Sequence, residues 1–442
     1  MRTGITFFSI IAILLADTLL TKLYAFTNIS NSFSYESRIL VYFIIALAYC
    51  FGVYFLMQLV KIQGSQIIKK RLHLKILHKI LLGDQFLLGV IIFSLLFQMI
   101  TTSRYSLTLT ALGIATSYIT AIVILSIFSY RFFSWFRSNR NNVVFSYALS
   151  SIVLVINASI TVSFVLSLLL NTPPYISEHK GLGYSPFILQ GSLTDILNRA
   201  YIITSILSFV LWWFSTAMLL RHYSQRLGKE KYWIIIALPL SYFLMQFLPS
   251  LPELLLIFPN ANDIFLIYTI TFTLSKPIGG LLFGAAFWII VRSFNHDNIV
   301  RQYIVISAFG IILLFVSNQA IVLVNFSYPP FGLVTICFFG LSSYLVLIGL
   351  YSSAISVSQD RMLRNTIRRY AVNQSKLLDN IGFSQMEHEI SRQIMKVSKE
   401  KEVEMEQESG IRSSIDEENV KEYLKIVLNE IKDKKDENTK KL

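Results

Sequence analysis

Long apolar runs recur along this chain, and they stop at one point. Ten stretches, near residues 5–25, 39–60, 81–101, 107–130, 143–170, 201–220, 233–256, 266–291, 303–324 and 333–356, are long and apolar enough to cross a bilayer as helices. A transmembrane barrel would instead show alternating segments of about ten residues. After about Val357 the pattern turns polar and stays so to Leu442. The expectation is an all-α integral membrane protein in two parts, a polytopic transmembrane domain over 1–357 and a cytosolic, partly coiled-coil-like helical tail over 358–442. Met1-Arg2 before an apolar run has the start of a signal peptide. The run exceeds the usual signal core, however, and no small-x-small cleavage site follows, so the first span is expected to stay uncleaved.

The tail has its own periodicity. Leu363, Ile367, Tyr370, Gln374, Leu377 and Ile381 are spaced by alternating fours and threes, the seam of a coiled coil continuing from the last span, with Gln374 as a polar seam position. Gly382 predicts a helix stop. Ser384 with Glu387 then forms a capping box opening a new helix, with Met386, Ile390, Ile394 and Val397 on one face. An acidic-rich run, Glu400 to Glu408, leads to a polar linker at Ser409-Gly410. A second box, Ser414 with Glu417, opens a last helix whose stripe is Val420, Tyr423, Leu424, Val427, Leu428 and Ile431. Such a stripe must be covered by the tail itself, by a second copy or by a cytosolic partner.

Charge fixes an orientation. Only 15% of residues are charged, against about 25% in soluble domains. The net charge is +13; the tail holds 17 basic and 17 acidic residues, so the body carries the whole excess, 22 against 9. The basic residues fall in alternate loops: Lys61 to Lys79, Arg131 to Arg140, Arg221 to Lys231, and Arg292 with Arg301. The other loops hold only Arg38, Arg104, Lys180 and Arg199. The basic side is cytosolic by the positive-inside rule, which places both termini in the cytosol of a plasma-membrane protein. The pI of 9.5 thus reports topology, and no nucleic-acid partner is expected. Arg361, Arg364, Arg368 and Arg369 at the membrane exit suit anionic lipid, each worth about 1 kcal/mol.

The outer loop, about 171–200, divides the spans five plus five, which turns the second half upside down relative to the first, as in many secondary transporters. Helix breaks at matching positions are missing: Pro239, Pro249, Pro252 and the Lys276-Pro277-Ile278-Gly279-Gly280 stretch all lie in the second half.

Charged groups inside a bilayer cost about 2.5–3.5 kcal/mol each and are functional candidates for that reason. The body has few: Asp17, Lys22, Asp84, Glu253 and Lys276, with uncharged Gln98, Asn157, Gln246, Asn318 and Gln319. Asp17, Glu253, Lys276, Asn318 and Gln319 are the expected lining of an outward-facing ligand or ion pocket. Pro277 would free a carbonyl beside Lys276 and kink the eighth span there, and Glu253 is the expected partner of Lys276. Snorkelling of Lys276 to the outer interface is the ordinary alternative.

Cys50 and Cys337 fall in separate spans and form no metal pair. His73 and His78 sit among basic residues, which opposes a cation. There is no nucleophile elbow, HExxH pair or phosphate loop, so no catalytic residue, metal or cofactor is expected. The pentapeptide His388-Glu389-Ile390-Ser391-Arg392 resembles the phosphoacceptor box of bacterial sensor histidine kinases. The proline of that pattern is replaced by Gln393-Ile394 and no glycine-rich nucleotide-binding region follows, so kinase activity is not implied. The sequence is read first as a membrane sensor or signalling scaffold with an output tail, second as a secondary transporter with a regulatory tail, and last as an enzyme acting on a lipid-linked substrate.

Overall fold

A computed structural model describes residues 2–26, 34–169, 175–177, 191–221, 228–247, 271–291, 299–319, 327–359 and 376–409. The described elements are α1 (Arg2–Phe26), α2 (Tyr35–Lys70), α3 (Leu72–Thr102), β1 (Arg104–Ser106), α4 (Leu107–Ser138), α5 (Asn142–Leu169), β2 (Tyr175–Ser177), α6 (Leu193–Leu220), α7 (Lys229–Met245), α8 (Ser275–Val291), α9 (Ile299–Ser317), α10 (Leu333–Gln359) and α11 (Lys376–Ser409). Among the described residues, nine helices are long and apolar enough to span a membrane, which makes this an all-α, multi-pass membrane protein. The expected seventh span is represented by the 17 described residues of α7, and its remainder lies outside the described residues.

The chain divides into two compact units. One comprises Met1–Phe133 with Asn142–Ser353; the other comprises Ser134–Asn141 with Ala354–Leu442.

In the first unit, several helix boundaries depart from the expected ones. The basic segment 61–79 is not a loop: α2 continues to Lys70, and only Arg71, in extended conformation (φ −118°, ψ 112°), separates it from α3. α6 begins at Leu193, well inside the expected outer loop. Ser192 Oγ accepts from Asp195 N at 3.3 Å, and Asp195 Oδ2 accepts from Gly191 N at 3.1 Å, so two backbone donors are satisfied at the start of the helix. A short antiparallel ladder joins β1 to β2, Tyr105 facing Ile176, and the sequence offered no sign of it.

Helices in lipid gain little from hiding apolar surface, because the surrounding tails are equally apolar; close backbone contact and polar bonds hold them together instead. Gly280 and Gly284, one turn apart on α8, give the first. A Cβ on Gly280 would meet Phe315 Cβ at 2.6 Å, and one on Gly284 would meet Ala308 O at 2.8 Å. The α9–α10 contact is equally close: a Cβ on Gly310 would lie 2.7 Å from Val346 N, and one on Gly349 2.6 Å from Tyr303 O. α10 is buried along its whole apolar length, a protein-surrounded helix with no lipid face.

α3 and α10 run antiparallel and are tied by polar rungs. Arg71 Nη1 donates to Tyr351 Oη at 3.2 Å, His78 Nδ1 lies 2.9 Å from Tyr344 Oη, and Gln85 Nε2 lies 3.5 Å from Cys337 O. The numbers rise by seven on α3 as they fall by seven on α10. Seven residues is close to two helical turns, so from Arg71, just before α3, to Gln85 one face of the segment meets one face of α10. Beside the third rung, Asp84 accepts from Thr120 Oγ1 at 2.7 Å and from Gln85 Nε2 at 3.1 Å.

In the second unit, α11 runs unbroken through Gly382, where a stop was expected. A glycine inside a helix costs only about 1 kcal/mol, and here its bare Cα admits Val357, which a Cβ would strike. Ser384 is therefore not a cap: its Oγ donates to Trp135 O at 3.1 Å, while Trp135 Nε1 donates to Gln385 Oε1 at 3.1 Å. His388 is exposed, its Nε2 3.0 Å from Ser134 Oγ and 3.2 Å from Ser138 Oγ. Leu377 and Ile381 are buried, whereas Ile394 and Val397 are exposed. The seam from Leu363 to Gln374, the arginines Arg361, Arg364, Arg368 and Arg369, and the stripe from Val420 to Ile431 lie outside the described residues.

Candidate functional site

Two helix ends lie inside the body, and each meets a charge of the opposite sign. A helix leaves about four N–H groups free at its start and four C=O groups free at its end; no water is at hand in a membrane to satisfy them, so the protein must.

The first is the start of α10. Asp17, on α1, is fully buried. Its Oδ1 accepts from Gly332 N at 2.7 Å, and its Oδ2 accepts from Thr335 N at 3.0 Å and from Thr335 Oγ1 at 2.8 Å. The carboxylate thus caps α10 from a neighbouring helix, at the positive end of the α10 dipole. Gly332, at φ +83°, makes the turn into the helix, a conformation that glycine adopts without steric cost. Tyr105 Oη donates to Ser327 O at 2.7 Å and ties down the approach to that turn.

The second is the end of α9. Lys276 Nζ donates to Asn318 O at 3.2 Å and to Tyr201 Oη at 3.3 Å, and lies 5.6 Å from the Tyr201 ring centre. The ammonium stabilises the negative end of the α9 dipole. Tyr118 Oη reaches Asn318 Oδ1 at 3.4 Å. Behind Tyr201, Asn157 Nδ2 donates to Tyr201 O at 3.2 Å and to Thr204 Oγ1 at 2.9 Å. The described span runs from Thr271 to Val291 and is interrupted at Leu274, two residues before Lys276. Lys276 lies in the first turn of α8, where the missing N–H of Pro277 breaks no helical bond. The interruption follows a helical turn at 271–273.

The cluster is deep. Tyr118 is eleven residues in from Leu107 and Asn157 twelve from Leu169, or about 16 and 18 Å at 1.5 Å per residue. Half of a hydrocarbon core is about 15 Å. The start of α8 and the end of α9 meet α4, α5 and α6 at this level, well in from the ends of α4 and α5.

Capacity is left over. An ammonium has three donors, and Lys276 spends two on neutral oxygens. Among the described residues no carboxylate pairs with it. Gln319, next to Asn318 and 6% exposed, has a buried Nε2 without a partner among the described residues; fully buried Asn157 has the same at Oδ1. Of the five residues expected to line a pocket, Lys276 meets the backbone carbonyl of Asn318, Gln319 is the next residue along, Asp17 is occupied at the start of α10, and Glu253 lies outside the described residues. Sequence reasoning placed no weight on Tyr118, Tyr201 or Thr204, because a hydroxyl in an apolar run carries no mark of its partner. Among the described residues, no group of three or more His, Cys, Asp or Glu side chains is placed to hold a metal.

Compared with protein-family models, with curated proteins and with solved structures, the chain matches none.

Proposed function

We propose that this protein is a membrane sensor or signalling scaffold of the plasma membrane, with both termini cytosolic, in which an intramembrane site acts on a helical tail that docks a cytosolic partner. The observation that carries the reading is the character of α10. This helix is buried along its apolar length, held at its start by Asp17, keyed to α3 by rungs every seven residues and packed on α9 through Gly310 and Gly349. It is also the last of the described helices long and apolar enough to span a membrane. A helix held on every side moves only with its neighbours, as a transmitting element must. The site and the helix are near each other along the chain: Asn318 bonds Lys276, and Ser317 Oγ lies 3.4 Å from Ser342 Oγ on α10.

A secondary transporter is the second reading. The observation that favours it is that α8 begins and α9 ends beside polar side chains, as helix ends do around a transported solute.

Cross-linking in native membranes separates the two, comparing the full chain with its Leu424→Glu, Leu428→Glu double variant. A sensor loses a specific cytosolic partner in the variant. Identical captures from both proteins overturn the sensor reading and leave uptake into liposomes as the assay to run.

A further inference from the structure

We propose that the Lys276 cluster binds an oxyanion, a carboxylate or phosphate group, near the middle of the membrane. This inference rests on the reading of the cluster as the sensing site and names the chemistry of what it senses.

The argument is one of hydrogen-bond supply. The third donor of Lys276 and both donors of Gln319 Nε2 have no acceptor among the described residues, against one spare acceptor, Asn157 Oδ1. A ligand rich in acceptors fits that balance, and a cation does not. Charge agrees: among the described residues Lys276, which is half-buried, touches only neutral atoms, and a charge shielded from water is stabilised far more by an ionised partner than by neutral dipoles. The aromatic face of Tyr201 and the tyrosine hydroxyls around the cluster suit a group that brings apolar bulk with its charge. Asn157 Oδ1 is then free to accept from a hydroxyl or amide on the same ligand. Such a group arrives either as the head of an anionic lipid or as a small solute, and both deliver the same oxygen atoms. The rival occupant is internal, the carboxylate of Glu253.

The test uses the purified full-length protein in nanodiscs of phosphatidylcholine. Thermal unfolding is followed on adding inorganic phosphate or acetate from solution, and separately on replacing part of the lipid with phosphatidylglycerol. The wild type, Lys276→Gln, Lys276→Arg and Glu253→Gln are compared. The expected result is a concentration-dependent rise in the unfolding midpoint of the wild type with one of the two sources. Binding should weaken about tenfold or more in Lys276→Gln, with substantial recovery in Lys276→Arg. A response to phosphatidylglycerol alone assigns a lipid head group; a response to phosphate or acetate assigns a solute.

The inference is overturned if neither source shifts the wild type. It is also overturned if Lys276→Gln responds as the wild type does, the pattern of a general effect on the basic loops. Finally, it is overturned if Glu253→Gln alone creates an oxyanion response that the wild type lacks, because Glu253 then fills the site. None of these outcomes alters the tail cross-linking pattern, so failure here is distinct from failure of the sensor reading.

Discussion

Asp17 and Lys276 are both charges inside the membrane body, both at buried helix ends, and they are treated very differently. Asp17 faces the start of α10 and receives three hydrogen bonds, two of them from backbone N–H groups that would otherwise be unpaired. Lys276 faces the end of α9 and has two longer contacts with neutral oxygens, beside an amide with donors to spare. One charge is consumed by the fold, while the other completes a helix end and keeps capacity in reserve. The rule that intramembrane charges mark function therefore needs a second question, whether the fold already uses all that the charge can offer.

Substitutions can break or sharpen that contrast. The largest loss is expected from Asp17→Ala, which leaves Gly332 N and Thr335 N buried and unpaired; about 2–4 kcal/mol of stability should go, on the scale of a lost cap and an orphaned donor. A variant that unfolds within about 0.5 kcal/mol of the wild type, the size of an ordinary surface change, would show that Asp17 is no structural cap. Thr335→Val removes one of the three donors and keeps the backbone bond, so about 1 kcal/mol is expected from chemical denaturation of the reconstituted protein. His78→Phe cuts the middle α3–α10 rung and should cost about 0.6 kcal/mol, the average for such bonds in membranes. Combined with Thr335→Val it should be additive, because the sites lie at different levels of α10. Lys276→Gln should cost least: it gives up a dipole contact worth about 0.3–1 kcal/mol, and the half-buried glutamine amide can still donate to Asn318 O.

The span pattern was legible because about twenty apolar residues in a row admit few other structures. The burial of α10 was not, since a helix apolar all round suits a lipid or a protein neighbour equally. The rungs were hidden for another reason: Arg71 and Tyr351 are 280 residues apart, and nothing local to either names the other. The stretch Lys276-Pro277-Ile278-Gly279-Gly280 did mark a helix break, placed a few residues late because Pro277 starts α8 rather than bending it. Two further signals are legible in the sequence: Gly280-x-x-x-Gly284, a small-residue spacing typical of close helix pairs, and Ser192 with Asp195 at the start of α6. Gly382 misled in the opposite way, because a glycine that ends one helix lets another pack more closely.

The contrast between the two charges is tested most directly by thermal unfolding of Asp17→Asn and Lys276→Gln, side by side, in nanodiscs of phosphatidylcholine without added anion. A clear fall of the midpoint for Asp17→Asn, with Lys276→Gln close to the wild type, is the predicted result. Equal falls in both variants would contradict it, because Lys276 would then be as fully committed to the fold as Asp17.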